Sequence, residues 1–510
     1  MNIFSAIWAK IREVFGRVIP YQTIQQAEQI ETPLSAEMIR ALQLWYQLYL
    51  DKAPWLGEHV QSLNLPAFIS AELARQVVVE LKWNITGKGA DGSTQDAAGD
   101  DIMNPRAEYL KKEFEKLIRQ LRLKLEQGCA AGGMLVKPYP NEDDGHIYFD
   151  WAMNWGICPL AFDDDGNLSD VVIPDVFLAG KTIYTRLERH TLTPDGVLIR
   201  QRAFRSASRD TVGTEIPLTE VDRWASLKPE VLIQNTGGQL FGWFRVAAAN
   251  NVEVDSPMGA SVYAKAVELI KQADKQYSRL LWEFEGSELA IDVDPTVLRP
   301  RRGADGMEMP KLNERLFRAV DVSKGEGDLY NVFAPQIRDA NIINGLNQLL
   351  IRIEDLTGLS RGTLSDANVE ARTATEIKTI KQRTYTTISD NQAALEACLR
   401  DVVRVMDTYA TIYNLAPAGE YDVSFEWDDS ILTDTDLQTQ ERLMLLNAGI
   451  VSKVEFREWY FGETRAQALA AIGQVDAEQA AGAEAQLSML MDSRPNPPEE
   501  PEPEPELEEQ

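Results

Sequence analysis

Cysteine and long apolar runs are scarce in this sequence. Its three cysteines, Cys129, Cys158 and Cys398, are odd in number and far apart. This pattern excludes a disulfide framework and a cysteine-based zinc site, and it predicts reduced thiols in a cytosolic setting. No stretch approaches about eighteen consecutive apolar residues. The sequence therefore predicts no transmembrane helix and no membrane partner.

Sequence signatures of catalysis are also missing. The histidines His59, His146 and His190 are scattered, and they form neither an H-E-x-x-H motif nor a Cys/His cluster. A G-x-x-x-x-G-K-[ST] phosphate loop and a G-x-S-x-G nucleophile elbow are absent as well. These absences exclude an ATP-driven motor and leave no recognisable catalytic, cofactor or metal site.

Two short strings resemble ligand loops but lack the context that such loops require. GKGADG, at Gly87–Gly92, fits G-x-G-x-x-G, but no apolar helix follows on which a pyrophosphate could rest. FDDDGNLSD, at Phe162–Asp170, carries the carboxylates of a calcium loop without the spacing of its glycine and final glutamate. We interpret the first string as a surface loop and the second as a hairpin turn.

The charge balance is strongly acidic, with a formal net charge of −28. The tail SRPNPPEEPEPEPELEEQ, at Ser493–Gln510, carries seven Glu against one Arg, and the rest of the chain remains at about −22. Alternating Pro and Glu cannot form a core, so the tail is predicted to be disordered. An acidic surface excludes a broad basic face that wraps nucleic acid. It permits a channel that nucleic acid passes through without binding tightly.

The N-terminus MNIFSAIWAKIREVFGRVIP places apolar residues at helical spacing. Lys10, Arg12 and Glu13 interrupt any secretory apolar core, which argues against a signal peptide. The amphipathic helix predicted here either lies on a membrane surface or docks on protein. We favour docking on the chain's own body or on a neighbouring subunit.

Residues up to about 246 predict an antiparallel α+β region. The pattern from about 35 to 135 is mainly helical, with one strand in QVVVELKWNIT. From about 134 onward, short β-rich runs alternate with turn signals. These runs are MLVKPYP, HIYFDWAM, ICPLAF, SDVVIPDVFLAG, TIYTRLERHTL and GVLIRQRAF.

Three long helices are predicted in the second half of the chain. The first has Ser256 as its N-cap and Pro257 at its first position, and it runs to about residue 285. A segment of about fifty residues with short β-like runs follows, and a second helix covers about Arg338–Leu356. The third runs from Thr373 to about Tyr413. A strand, YDVSFEWDDSI, and further helical segments come after it.

Two polar segments are candidate contact sites. A basic cluster in VLRPRRGADG stands out against the acidic chain, and it comprises Arg299, Arg301 and Arg302. A loop in LSRGTLSDANVEARTATEIKTIKQ mixes charges of both signs before the third helix, and it contains Arg361, Asp366, Asn368, Glu370 and Arg372. Thr373-Ala374-Thr375-Glu376 fits a capping box that starts that helix. The residues alone leave open whether the cluster binds phosphate or a partner or is only a solvated loop, and whether the polar loop is only a connection.

Several stretches, in order along the chain, resemble portal proteins of tailed bacteriophages, in the minor capsid or portal family of long-tailed phages. The most specific is GWFRVAAANNVEVDSPMGASVYAKAVELIKQADKQYSRLLWEFEGSELAIDV, in which N-N-x-x-x-D-S-P-x-G leads into a long helix. ICPLAFDDDGNLSDVVI, KTIYTRLERHTLTPDGVLIRQRAF and GLSRGTL with ARTATEIKTIKQRTYTTISDNQ are similar to further family segments. The resemblance spans roughly residues 1–475, while the acidity and the Pro-Glu tail depart from it.

The resemblance implies an α+β portal fold, with a wing, a two-helix stem, a small α/β clip, a tunnel loop with a long helix, and a helical crown. Its implied parts are an N-terminal arm and wing at 1–256, a first stem helix at 257–285, a clip at 286–335, a second stem helix at 336–357, a tunnel loop at 358–372, a long wing helix and strand at 373–429, a crown at 430–478 and a disordered tail at 479–510. Arg361 and Arg372 are then expected near the tunnel, and Arg299–Arg302 in the clip.

The resemblance also implies a function without catalysis or cofactor. A ring, usually of twelve subunits, would stand at one capsid vertex of the virion, after assembly in the host cytoplasm. Double-stranded DNA would pass through it, and its partners would be the terminase large subunit, a head–tail connector or adaptor, and the major capsid and scaffolding proteins. Two alternatives remain open at this point: an acidic α+β enzyme without a recognisable motif, and an oligomeric scaffold without a pore.

Overall fold

The computed structural model describes residues 21–89, 92–95, 101–141, 144–208, 210–293, 301–303, 306–308, 317–319, 330–366, 374–427, 435–475 and 477. The helices in these residues are α1 (Tyr21–Glu28), α2 (Ala36–Tyr49), α3 (Leu65–Val78), α4 (Pro105–Ala131), α5 (Val267–Gly286), α6 (Asp339–Thr357), α7 (Ala374–Ile412), α8 (Thr435–Asn447) and α9 (Lys453–Phe461). The strands are β1 (Leu81–Gly87), β2 (Gly133–Asn141), β3 (His146–Met153), β4 (Cys158–Phe162), β5 (Leu168–Ala179), β6 (Thr182–Thr193), β7 (Gly196–Ser206), β8 (Thr214–Ile216), β9 (Glu230–Gln234), β10 (Gly242–Arg245), β11 (Ala290–Val293), β12 (Arg301–Gly303), β13 (Gly306–Glu308), β14 (Phe317–Ala319), β15 (Tyr330–Phe333) and β16 (Tyr421–Trp427). The chain divides into two compact units, Met1–Asp428 and Asp429–Gln510.

Antiparallel strands build much of the first unit, and the α+β class predicted from the sequence is confirmed. The largest sheet has the order β4-β5-β6-β7-β8, with β9 also paired to β7. A second sheet has the order β10-β2-β3, and β1 pairs with β16 from far along the chain. Between β4 and β5 the chain turns at Gly166, with φ of 75°. The string FDDDGNLSD is therefore a hairpin turn, as predicted.

Helix α4 lies at the centre of the first unit. Asn104 caps it by accepting the Ala107 backbone N–H at 2.9 Å, and Gly132, in the left-handed conformation, ends it. One face of the helix is fully buried, because its apolar residues recur every three or four positions. These residues are Leu110, Phe114, Leu117, Leu121 and Leu125. Phe114 makes edge-to-face contacts with Trp83 of β1 and Phe425 of β16, so the helix joins distant parts of the sequence in one core.

Two predicted element boundaries were wrong. The strand predicted in QVVVELKWNIT begins only at Leu81, because residues up to Val78 complete α3 and bury Val77. The first long helix begins at Val267 and not at Pro257. Residues before it bond to the corner between α4 and β2 instead, and the backbone N–H of Val262 donates to the Cys129 carbonyl at 3.1 Å. These tertiary hydrogen bonds override the local capping signal at Ser256.

The corner between α4 and β2 explains why a glycine stands at position 259, eight residues before α5. A Cβ on Gly259 would overlap the carbonyl oxygen of Gly132, which itself has φ of 78°. The two backbone segments therefore approach as closely as glycine alone permits. This contact fixes the position of the segment that leads into α5.

Helices α5 and α6 are antiparallel and together form the helix pair. The last turn of α5 meets the start of α6 at Glu283 and Arg338. Between the two helices the chain forms a small strand module, which comprises β11 to β15. In the module β11 pairs in parallel with β14 and antiparallel with β15, while β12 and β13 form a hairpin. The predicted order of helix, small β-containing segment and helix is present.

Helix α7 runs for 39 residues after the polar loop. Its second half carries the apolar face that the sequence predicted, since Leu395, Leu399, Val402 and Met406 are fully buried. That face packs against β10 and β2 of the first unit. The helix begins at Ala374, next to the capping residue Thr373 predicted from the sequence, which lies outside the described residues.

The second unit contains α8, α9 and a further helical stretch over residues 465–475. A capping box starts α9, because the Ser452 side chain accepts the Glu455 N–H and Glu455 accepts the Ser452 N–H. The guanidinium of Arg442 in α8 lies 4.4 Å from the centre of the Trp459 ring in α9. The helical segments predicted for this part are present.

Candidate functional site

A charged clamp closes the helix pair where the strand module begins. Arg338 donates from Nε to Oε1 of Glu283 at 3.1 Å and from Nη2 to Oε2 at 2.9 Å. Its backbone N–H also donates to Glu283, at 3.2 Å. These hydrogen bonds hold the pKa of Glu283 below its usual value. Bidentate pairing of this kind fixes direction as well as distance. The two helix ends that lead into the strand module are therefore held together.

The segment between α2 and α3, residues 50–64, ties the helix pair to the rest of the first unit and is named the strap. Asp274 of α5 accepts the indole N–H of Trp55 and the backbone N–H of Leu63, both at 2.9 Å. One turn later, Ser278 accepts the backbone N–H of Gln61 at 2.8 Å. Burial raises the pKa of Asp274. The first half of α5 is thereby held against the rest of the first unit, while its second half extends beyond the strap.

Apolar side chains remain exposed beyond the strap. Trp282 is 67% exposed, which is a large apolar area for a residue in a regular helix. Other exposed apolar residues near this end of the helix pair and in its connections to the strand module are Phe284, Leu289, Val332, Ile337 and Ile343, while Leu356 is exposed at the opposite end of α6. Exposed apolar residues gathered in one region mark a surface for protein contact.

The polar loop after α6 contains part of the predicted site. Arg361 donates from Nε and Nη2 to Asp355 at 3.1 and 3.0 Å, so its charge is compensated in the isolated chain. The backbone N–H of Asp366 donates to the side-chain oxygen of Asn347 at 2.8 Å. The predicted residues Asn368, Glu370 and Arg372 lie outside the described residues.

One residue of this loop region was missed from the sequence. Glu354 lies in the last turn of α6, it is fully buried, and its carboxylate accepts hydrogen bonds from the loop. The available signal was its position, because a carboxylate opposes the negative end of the helix dipole there. An acidic residue at that place suggests that nearby N–H groups hold it.

The predicted basic cluster lies in and next to the strand module. Arg301 and Arg302 belong to β12, and the register places them opposite Glu308 and Met307 of β13. Arg299 lies outside the described residues. The cluster is more than forty residues in sequence from the polar loop, so the two predicted contact regions belong to different elements.

The three cysteines are buried, and two of the three histidines contact a carboxylate. Burial raises the pKa of the Cys129 and Cys158 thiols to about 12, and it raises the pKa of Cys398 further. His146 and His190 each contact a glutamate, Glu113 and Glu188. Within the described ranges, no group of His, Cys, Asp and Glu side chains is placed to hold a metal ion. No helix in these ranges has the length and hydropathy needed to cross a membrane.

Comparison with known proteins adds three findings. A family model described as "Phage portal protein, SPP1 Gp6-like" matches residues 66–485, which is most of the chain. No curated protein matches. Among solved structures, a chain from "Neck of native GTA particle computed with C12 symmetry" aligns with 9% sequence identity and a TM-score of 0.33, covering 77% of this chain and 88% of that one.

Proposed function

Because the chain belongs to the SPP1 Gp6-like family of phage portal proteins, we propose that it forms a ring-shaped channel for double-stranded DNA at one capsid vertex. Membership in the family makes it a portal component of the phage particle, and a structural protein of a non-enzymatic family. Passage of DNA into and out of the capsid, and a role as the nucleus of capsid assembly, are the finer parts of the proposal.

The observation that carries the proposal is the helix pair with its strand module. Two antiparallel helices lead to and from a small sheet, and a polar loop and a 39-residue helix follow. We assign the helix pair as the stem, with its first helix at Val267–Gly286, and residues 286–335 as the clip. The remaining assignments are the wing before the stem, the tunnel loop at 358–372, the long helix and strand at 373–429 and the crown at 430–478.

A ring explains the exposed apolar residues of the helix pair. A second copy of the chain is the proposed partner for Trp282 and its neighbours, since ring formation brings equivalent stems side by side. We propose twelve copies, as the resemblance implies. The interface would be heterologous, because a ring with one central hole repeats the same head-to-tail contact around its axis.

The acidic charge suits a conduit. Duplex DNA carries dense negative charge, and a basic lining would hold it with strong, salt-dependent affinity. The 79 acidic residues of the chain outnumber its 51 Lys and Arg, so DNA would meet only transient cationic contacts and remain mobile. Arg361 and Arg372 of the tunnel loop, and Arg299, Arg301 and Arg302 of the clip, are the proposed contacts.

The proposed partners follow from the same arrangement. The clip would dock the terminase large subunit during packaging and a head–tail connector afterwards, with Arg299, Arg301 and Arg302 available to an acidic partner surface. Major capsid and scaffolding proteins would contact the ring during assembly in the host cytoplasm. The chemistry of packaging would belong to terminase, while this chain supplies the channel.

Neutralising the tunnel-loop arginines tests the DNA contact. We expect Arg361→Gln with Arg372→Gln to lower the fraction of heads that keep full-length DNA severalfold, because two cationic contacts to phosphate are lost. Packaged DNA length and DNA retention in purified heads are the measurements. The matched control is Arg119→Gln with Arg122→Gln, which neutralises two exposed arginines of α4, one of them also paired with an acid. Normal packaging and retention in the tunnel-loop variant would rule out this contact.

A further inference from the structure

The loop after α6 begins with an unusual buried carboxylate. Glu354 is fully buried, and Oε1 accepts the backbone N–H groups of Gly362, Leu364 and Ser365 at 3.1, 2.6 and 2.9 Å. Oε2 accepts the hydroxyl of Ser365 at 2.8 Å. Among the described residues no cation forms an ion pair with it. Three loop amides and one loop hydroxyl donate to this carboxylate, which is an arrangement that suits an anion within a concave backbone.

The backbone turns in the way this contact needs. Gly358 ends α6 with φ of 77°, and Gly362 has φ of 94°, a region that favours glycine. These two positions let the chain reverse and direct three N–H groups toward one oxygen. Ser365 and Leu359 are buried as well. The sequence of the loop base is therefore adapted to wrap the Glu354 carboxylate.

Neighbouring contacts hold the same segment to both adjoining helices. Asn347 stands seven residues before Glu354, which is two helical turns, and it accepts the Asp366 N–H at 2.8 Å. On the other side, the hydroxyls of Ser360 and Thr384 of α7 lie 2.9 Å apart. Hydrogen bonds thus fix residues 359–366 to one face of α6, through Asn347 and Glu354, and join them to α7 through Thr384.

The local physics of α6 does not account for Glu354. A carboxylate in the last turn faces the negative end of the helix dipole, which is unfavourable. Burial adds a further desolvation cost. Its three amide partners are eight to eleven residues downstream. We therefore attribute the buried carboxylate to the hydrogen bonds that it makes with the base of the loop, residues 359–366.

We propose that Glu354 is the positioning residue of the tunnel loop: its carboxylate fixes residues 362–365 to the second stem helix while DNA passes. This inference rests on the proposed function, because it is the channel that gives the loop its task. With the base fixed, a force applied to the loop by DNA is transmitted to α6 and does not peel residues 359–366 from the stem. Arg361 is held in place by the same base and presents its ion pair with Asp355 at a constant position.

Hydrogen–deuterium exchange of the purified full-length ring tests the anchor directly. In Glu354→Ala, peptides covering residues 359–366 should exchange at least about tenfold faster, because several charge-assisted hydrogen bonds are lost. Glu354→Gln keeps an acceptor oxygen and should show a smaller increase. Asp355→Asn is the matched control: it breaks the neighbouring ion pair with Arg361 and should leave exchange of the 362–365 amides unchanged. The first turns of α6 should exchange alike in all four proteins.

Packaging measurements then test the positioning role. Rings of Glu354→Ala should yield severalfold fewer heads with full-length DNA, and Glu354→Gln should recover part of the loss. Unchanged exchange in Glu354→Ala, or faster exchange spread through α6 and the wing, would overturn the anchor. Faster loop exchange with normal packaging and retention would overturn the positioning role. Wild-type rings that never take up DNA would overturn the proposed function instead, and the exchange result would still decide the anchor.

Discussion

Trp282→Glu should convert rings into monomers. The indole of Trp282 is 67% exposed on α5, beyond the strap that ties this helix to the first unit. A buried tryptophan removes roughly 150 to 250 Å² from water, and tryptophan at an interface centre contributes about 2 kcal/mol or more. Glutamate loses this contribution and adds a charge that would need burial. Because every subunit repeats the contact, the loss is multiplied around the ring.

Light scattering after size-exclusion chromatography measures the effect. The wild type should elute as a species of several hundred kilodaltons, and Trp282→Glu mainly as the 57.2 kDa chain. Trp282→Phe, which keeps an aromatic ring, should retain much of the oligomer. Leu123→Glu is the matched control, since Leu123 is 66% exposed on α4, outside the proposed stem. Intact rings in Trp282→Glu would show that this part of α5 is not in the subunit interface.

Glu188→Ala should destabilise the first unit by about 3 to 5 kcal/mol, because it removes one partner from a buried charge network. Glu188 lies on β6 and accepts Lys137 Nζ at 2.9 Å on both oxygens. Arg186 and His190 contact the same carboxylate at 3.0 and 2.7 Å. Without Glu188, the ammonium of Lys137 would stay buried, with only the more distant Asp150 at 3.6 Å.

The pH dependence of stability follows from the same network. Burial by itself would raise the pKa of Glu188, but Lys137, Arg186 and His190 outweigh burial and hold the pKa well below its usual value. The contribution of Glu188 to stability is therefore complete above the unfolded-state pKa of about 4.3 and declines as pH falls toward the folded-state pKa. The wild type should lose stability in acid more steeply than Glu188→Ala.

Denaturant unfolding followed by tryptophan fluorescence measures this difference. Glu220→Ala is the control, because its partner Arg205 and Glu220 itself are both exposed, and exposed pairs contribute at most about 1 kcal/mol. A double variant, Lys137→Met with Glu188→Leu, should regain part of the stability, since the buried ammonium is removed together with its partner, while Arg186 keeps only Asp175 at 3.6 Å. A loss in Glu188→Ala no larger than that of Glu220→Ala would show that the network does not stabilise the fold.

Local sequence patterns predicted much of the architecture. The runs that became β2 to β7 were readable because apolar residues alternate between turn signals such as Asp165-Gly166. The second half of α7 was readable because Leu395, Leu399 and Val402 repeat at helical spacing. Identification as a portal protein came from the order of several family-like segments, and the family match confirmed it.

The wrong or missing predictions depend on contacts between distant residues. Ser256 and Pro257 look like a helix start, but the hydrogen bond from Val262 to Cys129 holds that segment out of the helix. No local pattern indicated that Asp274 would accept hydrogen bonds from residues 211 and 219 positions away. Glu354 was missed for a related reason, because its partners become visible only when the loop folds back on α6.

Arg361 shows the limit for the candidate site. Its sequence context predicted a cation in a polar loop, which is correct, but not its bidentate pair with Asp355. Its role at the tunnel stays a prediction, as do the roles of Asp366, Asn368, Glu370 and Arg372 and of the clip arginines. Under the proposed function these positions act through neighbouring subunits and DNA, and a single sequence does not encode the placement of such partners in local patterns.

Negative-stain electron microscopy of the purified full-length chain tests the central claim most directly. We predict closed rings of several hundred kilodaltons with a central hole wide enough for duplex DNA. Rings without a hole would support the scaffold without a pore. A population of single 57.2 kDa chains, at concentrations where portal rings should persist, would contradict the portal account and favour an acidic enzyme.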